Sequence, residues 1–144
     1  MANLVASGCR ASLQLVDHSL AMQNQAYYLC RHMIFSSMMY NEICQYSSSS
    51  STDSSSKLTL YGTVPINRSF PYSIFNEKNR NELLTFEQLN NEQLLDQCRE
   101  QCFRESQKAL ELLQSNFDAK SSATKLLRSI VQQIQDGLSS KTVI

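Results

Sequence analysis

Apolar residues recur at intervals of three and four through the first third of the chain. One series consists of Leu13, Val16, Leu20, Tyr27, Cys30, Ile34 and Met38. A second series covers the neighbouring face and consists of Met22, Ala26, Leu29 and Met33. Both spacings are those of a helix, and two adjacent apolar faces indicate a helix with partners on more than one side. They predict a long helix from about Ala11 to Tyr46, or a helix pair with a break near residues 23–25.

A second helical region follows in the C-terminal half. Thr85 and Gln88 have the spacing of a capping box, and Leu84 and Leu89 have that of a hydrophobic staple. We therefore expect a helix to begin at Thr85. Its apolar stripe consists of Leu95, Cys98, Cys102, Ala109, Leu112 and Leu113.

The sequence from Asn116 to Asp118 interrupts this helix, and Asp118 or Ser121 can cap the next one. The stripe of that last helix consists of Ala123, Leu127, Ile130, Val131, Ile134 and Leu138. A break this short favours antiparallel packing of the two helices, with the N-terminal helix covering their joint apolar face.

The middle of the chain differs in composition. Residues 47–57 are almost all Ser and contain no apolar side chain before the following Leu58, which predicts a disordered linker. Residues 58–82 contain Pro65 and Pro71 and are expected to form an extended arm or loop. We predict an all-α fold: a small helical bundle in which segment 1–46 packs with a C-terminal hairpin, 83–138, followed by a flexible tail, 139–144.

Composition limits the classes of function. Thirteen basic and thirteen acidic residues give a net charge of zero, so no overall field favours nucleic acid. No apolar run reaches the roughly 18 residues that would cross a bilayer, and the N-terminus lacks secretory features. Five cysteines without CxxC spacing fit reduced thiols. These properties predict a cytoplasmic protein that neither binds nucleic acid nor spans a membrane.

Two cysteines suggest a metal site as one hypothesis. Cys98 and Cys102 are four residues apart, so both can project from one helical face, where His18 or His32 could add a zinc ligand. The competing interpretation is that both cysteines belong to the buried stripe, because free cysteine is among the most buried residue types. A metal- or redox-responsive regulator using Cys98 and Cys102 is therefore the alternative function.

No catalytic or cofactor site is predicted. His18 lies between Asp17 and Ser19, but sequence neighbours on a helix point in different directions. The chain has three glycines and no phosphate-binding loop. The carboxylates that we considered for acid–base chemistry are expected on solvated faces; they are Glu100, Glu105 and Glu111.

The segment from Cys102-Phe103-Arg104 through Lys108-Ala109-Leu110-Glu111-Leu112-Leu113, then Lys125-Leu126-Leu127 and Ile130, resembles the last two helices of an MIT-type (microtubule-interacting and transport) domain. More particularly it is similar to the C-terminal regulatory region of autophagy-initiating Ser/Thr protein kinases. The Ser-rich insertion departs from that family, and the chain contains no kinase domain. The resemblance implies a non-catalytic adaptor or regulatory module that docks a helical peptide or a regulatory subunit.

We accordingly predict non-enzymatic protein–protein interaction through an apolar helical groove. The candidate core or groove residues are Met33, Phe35, Met39, Leu110 and Leu113. Methionine and aromatic side chains supply an adaptable apolar surface, although such clusters also build cores. The sequence leaves open self-association, phosphorylation of the Ser-rich linker, and addition of the terminal Thr142-Val143-Ile144 to a PDZ-type groove.

Overall fold

The computed structural model describes residues 1–48, 59–60, 64–65 and 92–140. This part of the chain contains four helices: α1 (Ala2–Leu15), α2 (Leu20–Ser48), α3 (Glu92–Asn116) and α4 (Ser122–Ser139). It also contains two short antiparallel strands, β1 (Thr59–Leu60) and β2 (Val64–Pro65), with Leu60 opposite Val64. The all-α prediction is confirmed. Within the described residues, no helix is long and apolar enough to cross a membrane.

The N-terminal region is a helix pair, and its break lies at residues 16–19, not at 23–25. Asp17 has a φ of 55°, a left-handed conformation that Asp tolerates better than most residues. Ser19 then caps α2, because its Oγ accepts a hydrogen bond from the Met22 amide at 3.3 Å. Gln23 belongs to the first turns of α2, where its side-chain amide donates to the His18 carbonyl at 2.8 Å. The expected break at 23–25 was therefore wrong.

The predicted break between the last two helices is confirmed. Asn116 ends α3, and the Asp118 side chain accepts a hydrogen bond from the Lys120 amide at 2.9 Å, which stabilises the turn. Ser121 occupies the N-cap position of α4 without a side-chain capping bond. The five-residue connection and the contact between Ser106 and Gln135 show that α3 and α4 run antiparallel.

The chain divides into two compact units. Unit 1 comprises Met1–Met38 and Cys102–Ile144, so it holds α1, α4 and parts of α2 and α3. Its core draws one side chain from α2, three from α3 and one from α4. These residues are Leu29, Ala109, Leu110, Leu113 and Val131, with Met33, Leu112, Phe117 and Leu127 packed around them.

Unit 2 comprises Met39–Gln101. Among its described residues, the buried apolar side chains come from the remaining turns of α2 and α3 and are Met39, Ile43, Leu94, Leu95 and Cys98. The β1 and β2 strands also belong to this unit. The expected helix start at Thr85, most of the Ser-rich linker and of the 58–82 arm, and the terminal Thr142-Val143-Ile144 lie outside the described residues.

Candidate interaction surface and buried polar groups

Helix α1 buries one small side chain against the rest of unit 1 and leaves two leucines of its opposite face in solvent. The inward face consists of Ala2, Ala6, Cys9 and Leu13, of which only Ala6 is fully buried. The opposite face consists of Leu4, Gly8, Ala11 and Leu15, at helical spacings of four, three and four. We call this set the α1 outer face. Leu4 is 77% exposed and Leu15 is 85% exposed.

The shape of the α1 outer face is a shallow notch between two leucines. A Cβ atom added at Gly8 would meet no atom of the described residues within 4 Å, so this part of the chain leaves the space above the centre of the helix open. Small residues at the centre of a helical face let another helix approach closely. Arg10 is the only charged residue of α1, and its position in the sequence places it away from this face. The face is therefore apolar, uncharged and open.

A second exposed apolar surface lies on α4. Val131 and Ile134 are buried, but Leu126 is 63% exposed and Ile130 is 41% exposed. Ala123 and Ile130 were expected on the buried stripe, and the structure places both in solvent while it buries Thr124 instead. The apolar arc of α4 is therefore wider than the part that the core uses. The solvent-exposed part of this arc consists of Ala123, Leu126 and Ile130, and we call it the α4 flank.

The residues predicted as core or groove positions are mostly enclosed. Leu113 and Leu110 lie in the core of unit 1, and Met39, in unit 2, is also buried. Met33 is half-buried and packs against the unit 1 core, and Phe35 is half-buried as well. These positions therefore support the helices, whereas Leu4 and Leu15 of α1 and Leu126 of the α4 flank are among the most exposed large apolar side chains of the described residues.

Glu105 is buried between α2 and α3. One of its carboxylate oxygens lies 2.6 Å from His32 Nδ1, and the other accepts a hydrogen bond from Lys108 Nζ at 2.9 Å. The prediction that Glu105 lies on a solvated face was wrong, because residue 105 falls between Cys102 and Ala109 on the apolar stripe. That spacing was the signal in the sequence for its burial.

The surroundings of Glu105 stabilise its charged form. Burial alone raises the pKa of a carboxyl group, but here the hydrogen bonds from Lys108 and His32, and their positive charge, outweigh it and hold the pKa of Glu105 below its ordinary value. The carboxylate is thus ionised at neutral pH. Glu105 connects α2 to α3 in a defined register, because its carboxylate can reach His32 only in one axial alignment of the two helices.

This lowered pKa makes stability depend on pH. The contribution of Glu105 is fully present above the pKa of an unfolded Glu, about 4.3, and is lost as the pH falls through its lower folded value. We expect Glu105→Gln to destabilise the protein more at about pH 6 than at about pH 3. Urea unfolding of both proteins at the two pH values measures this difference. An equal loss at both would contradict the assignment.

Further polar contacts fix the register of α2, α3 and α4 in unit 1. The Cys102 thiol donates to the Ser36 carbonyl of α2 at 3.2 Å. On the other side of α3, Gln135 Nε2 of α4 donates to Ser106 Oγ at 3.1 Å. Because an unsatisfied buried polar group is costly, these pairs disfavour any sliding of one helix along another. Cys102 therefore acts as a packed hydrogen-bond donor.

Cys98 and Cys102 are both fully buried. Burial, followed by the nearby Glu42 carboxylate, raises the pKa of Cys98 to about 12, against a smaller opposing effect of Arg99. Cys98 is consequently a neutral thiol in this environment. Of the histidines, His18 is exposed and His32 contacts Glu105. Across the described ranges, no three His, Cys, Asp or Glu side chains are grouped to hold a metal ion.

The fold brings together a different pair of cysteines, which the sequence pattern did not predict. Cys9 of α1 and Cys30 of α2 lie with their sulfur atoms 2.9 Å apart, and both residues are half-buried. They are separated by the helix break at 16–19, so no spacing rule within one helix could have paired them. The only signal was that each falls on an inward-facing position of its own helix.

No family model, curated protein or solved structure matches this chain.

Proposed function

We propose that this protein is a non-enzymatic interaction module that binds a helical segment of a partner protein through the α1 outer face. The observation that carries this proposal is the exposure of two leucines on one face of α1. Its inward face buries one alanine completely, whereas Leu4 and Leu15 point into solvent. Because exposing a leucine forgoes about 1.5 to 3 kcal/mol of burial, two such residues on one face favour a partner.

The chemistry of the face favours a helix over a membrane surface as the occupant. Helices that lie on membranes carry several Lys or Arg side chains, whereas α1 carries only Arg10. The alternation of large and small residues along the face instead provides a ridge at each end and a recess at Gly8 and Ala11. A second helix can place its own ridge in this recess.

The α4 flank provides a second contact area of the same kind. It belongs to the hairpin that resembles an MIT-type domain, and this resemblance implies docking of a helical peptide or a regulatory subunit. Leu126 and Ile130 are four residues apart on one side of α4, so a helical partner can contact both. In this proposal Leu110 and Leu113 contribute indirectly, because they hold the helices that present the exposed residues.

A capture experiment with matched variants tests the role of α1. The double variant Leu4→Asp/Leu15→Asp places two charges on the α1 outer face, and Ser7→Asp/Gln14→Asp places two charges on exposed positions elsewhere on the same helix. We expect the wild type and the control to recover the same partner by quantitative mass spectrometry. We expect the Leu4/Leu15 variant to recover at least about tenfold less of this partner, because binding would bury the two introduced charges.

Circular dichroism of all three proteins shows whether each variant folds. We expect both variants to fold, because all four substituted positions are exposed. Equal recovery of every partner by a folded Leu4/Leu15 variant would exclude the α1 outer face as the binding surface. Equal loss from the Ser7/Gln14 control would also contradict the proposal, because it would show that charge anywhere on α1 is sufficient. Binding of the wild type to neutral lipid vesicles would identify a membrane as the occupant instead.

A further inference from the structure

The two sulfur atoms of Cys9 and Cys30 lie 2.9 Å apart. Only a small movement would bring them to the bond length of about 2.05 Å found in a disulfide. The two cysteines belong to different helices, α1 and α2, and both are partly accessible to small molecules. Of the three other thiols, Cys98 and Cys102 on α3 are fully buried, and Cys44 on α2 is exposed. An oxidant in solution therefore reaches Cys9 and Cys30 more easily than it reaches the α3 thiols.

Helix α1 is held by few interactions. Ala6 is its only fully buried residue, and an alanine contributes little apolar area. One polar contact to α2 is the hydrogen bond from Arg31 Nε to the Asn3 side chain, at 3.2 Å and in solvent. A covalent link at Cys9 would therefore change the stability of α1 docking by a large fraction.

We propose that Cys9 and Cys30 form a reversible disulfide that fastens α1 to α2, with glutathione disulfide as the oxidant. This inference does not depend on what the α1 outer face binds. The reduced state leaves α1 free to detach from α2 at small cost, and the oxidised state keeps it in place. The pair is thus a redox-controlled fastening between the first two helices.

The chemistry takes two exchange steps. The Cys9 thiolate attacks one sulfur of glutathione disulfide, forms a mixed disulfide and releases one glutathione thiolate. The Cys30 thiol then loses its proton to solvent or to that thiolate, and its sulfur attacks Cys9 Sγ and releases the second glutathione. The two protein thiols are oxidised by two electrons, and glutathione disulfide is reduced to two glutathione molecules.

The environment sets the order of these steps. Burial, then the hydrogen bond to Cys9 and the charge on Cys9, raise the pKa of Cys30 to about 12. Cys30 donates its S–H to Cys9 Sγ, so the proton of Cys30 is engaged in this hydrogen bond and Cys30 remains a thiol. Cys9 is therefore the first nucleophile, and Cys30 is the residue that resolves the mixed disulfide.

The products can be read directly from tryptic peptides. Cleavage after Arg10 and Arg31 gives peptides 1–10 and 11–31, each of which contains a single cysteine. We expect full-length protein incubated with glutathione disulfide at neutral pH, then alkylated, to yield these peptides linked by a disulfide as the dominant oxidised product. Recovery of both peptides separately, each alkylated or each carrying its own glutathione, would overturn the proposal.

Single-cysteine variants test the order. We expect Cys30→Ser to accumulate glutathione on Cys9, because the resolving thiol is absent, and Cys9→Ser to carry about tenfold less glutathione on Cys30. Cys44→Ser, which removes the exposed thiol of unit 2, is the matched control and should leave the linked peptide unchanged. Equal glutathione on Cys9 and Cys30 in the two variants would refute the assigned order.

Hydrogen exchange tests the consequence for α1. In the oxidised wild type we expect amide exchange in Ala2–Leu15 to slow by about tenfold relative to the reduced protein. Exchange in α4 should remain the same in both states, which makes it the internal reference. Unchanged exchange in α1 of a protein that is shown to be oxidised would mean that the disulfide does not control docking of this helix.

Discussion

Replacing Leu113 by alanine is expected to lower the free energy of unfolding by about 3 to 4 kcal/mol. Leu113 is completely buried in the core of unit 1, where side chains from α2, α3 and α4 meet. Loss of its branched end removes buried apolar area and leaves a cavity that the surrounding helices, fixed by their polar contacts, fill only in part. Urea unfolding followed by circular dichroism measures the difference.

The matched control is Leu126→Ala on α4. Leu126 has the same side chain but is 63% exposed, so its truncation is expected to cost less than about 1 kcal/mol. A core position and a surface position of one residue type are thereby compared in the same protein. If the two variants lost equal stability, the placement of Leu113 at the meeting point of three helices would be incorrect.

The second large effect is expected from Glu105→Ala, at about 2 kcal/mol. The substitution removes the acceptor for both His32 and Lys108, and His32 is left with an unsatisfied ring nitrogen in a largely buried position. The loss exceeds that of an ordinary surface ion pair because Glu105 is 7% exposed and its contacts connect two helices. Chemical unfolding at neutral pH measures it.

Glu111→Ala supplies the comparison, since Glu111 is exposed on the same helix and should lose less than about 0.5 kcal/mol. A double-mutant cycle with His32→Ala isolates the contact between the two side chains. We expect the two losses to be less than additive, because each single substitution already breaks the same hydrogen bond. Strict additivity would show that His32 and Glu105 act independently.

The helical character of the chain could be predicted because its apolar spacing, and the turn after Asn116, are local features. The position of the N-terminal break could not be predicted in this way. Leu13, Val16 and Leu20 keep helical spacing across a break that the structure places between them. The signal lay in the capping ability of Ser19 and in Asp17, which adopts a left-handed conformation.

The candidate interaction surface could not be predicted from the apolar stripe of one helix, because the stripe does not show which of its residues the other helices cover. The α4 pattern identified apolar residues correctly but not how much of the arc the core would cover, so Ile130 was expected inside and lies in solvent. Similarly, α1 has apolar residues on two faces, and only tertiary packing determines which of them is covered. The Cys9–Cys30 pair likewise depends on the angle between two helices, which no local pattern encodes.

Solvent accessibility of individual methyl groups tests the arrangement of α1 most directly. With a soluble paramagnetic agent added to methyl-labelled protein, we expect strong line broadening for Leu4 and Leu15 and little for Leu29 and Leu113. This result would show that α1 presents its large apolar side chains to solvent while a separate core is closed. Protection of Leu4 and Leu15 in the monomeric protein would contradict it, because those residues would then be part of the core and unavailable to a partner.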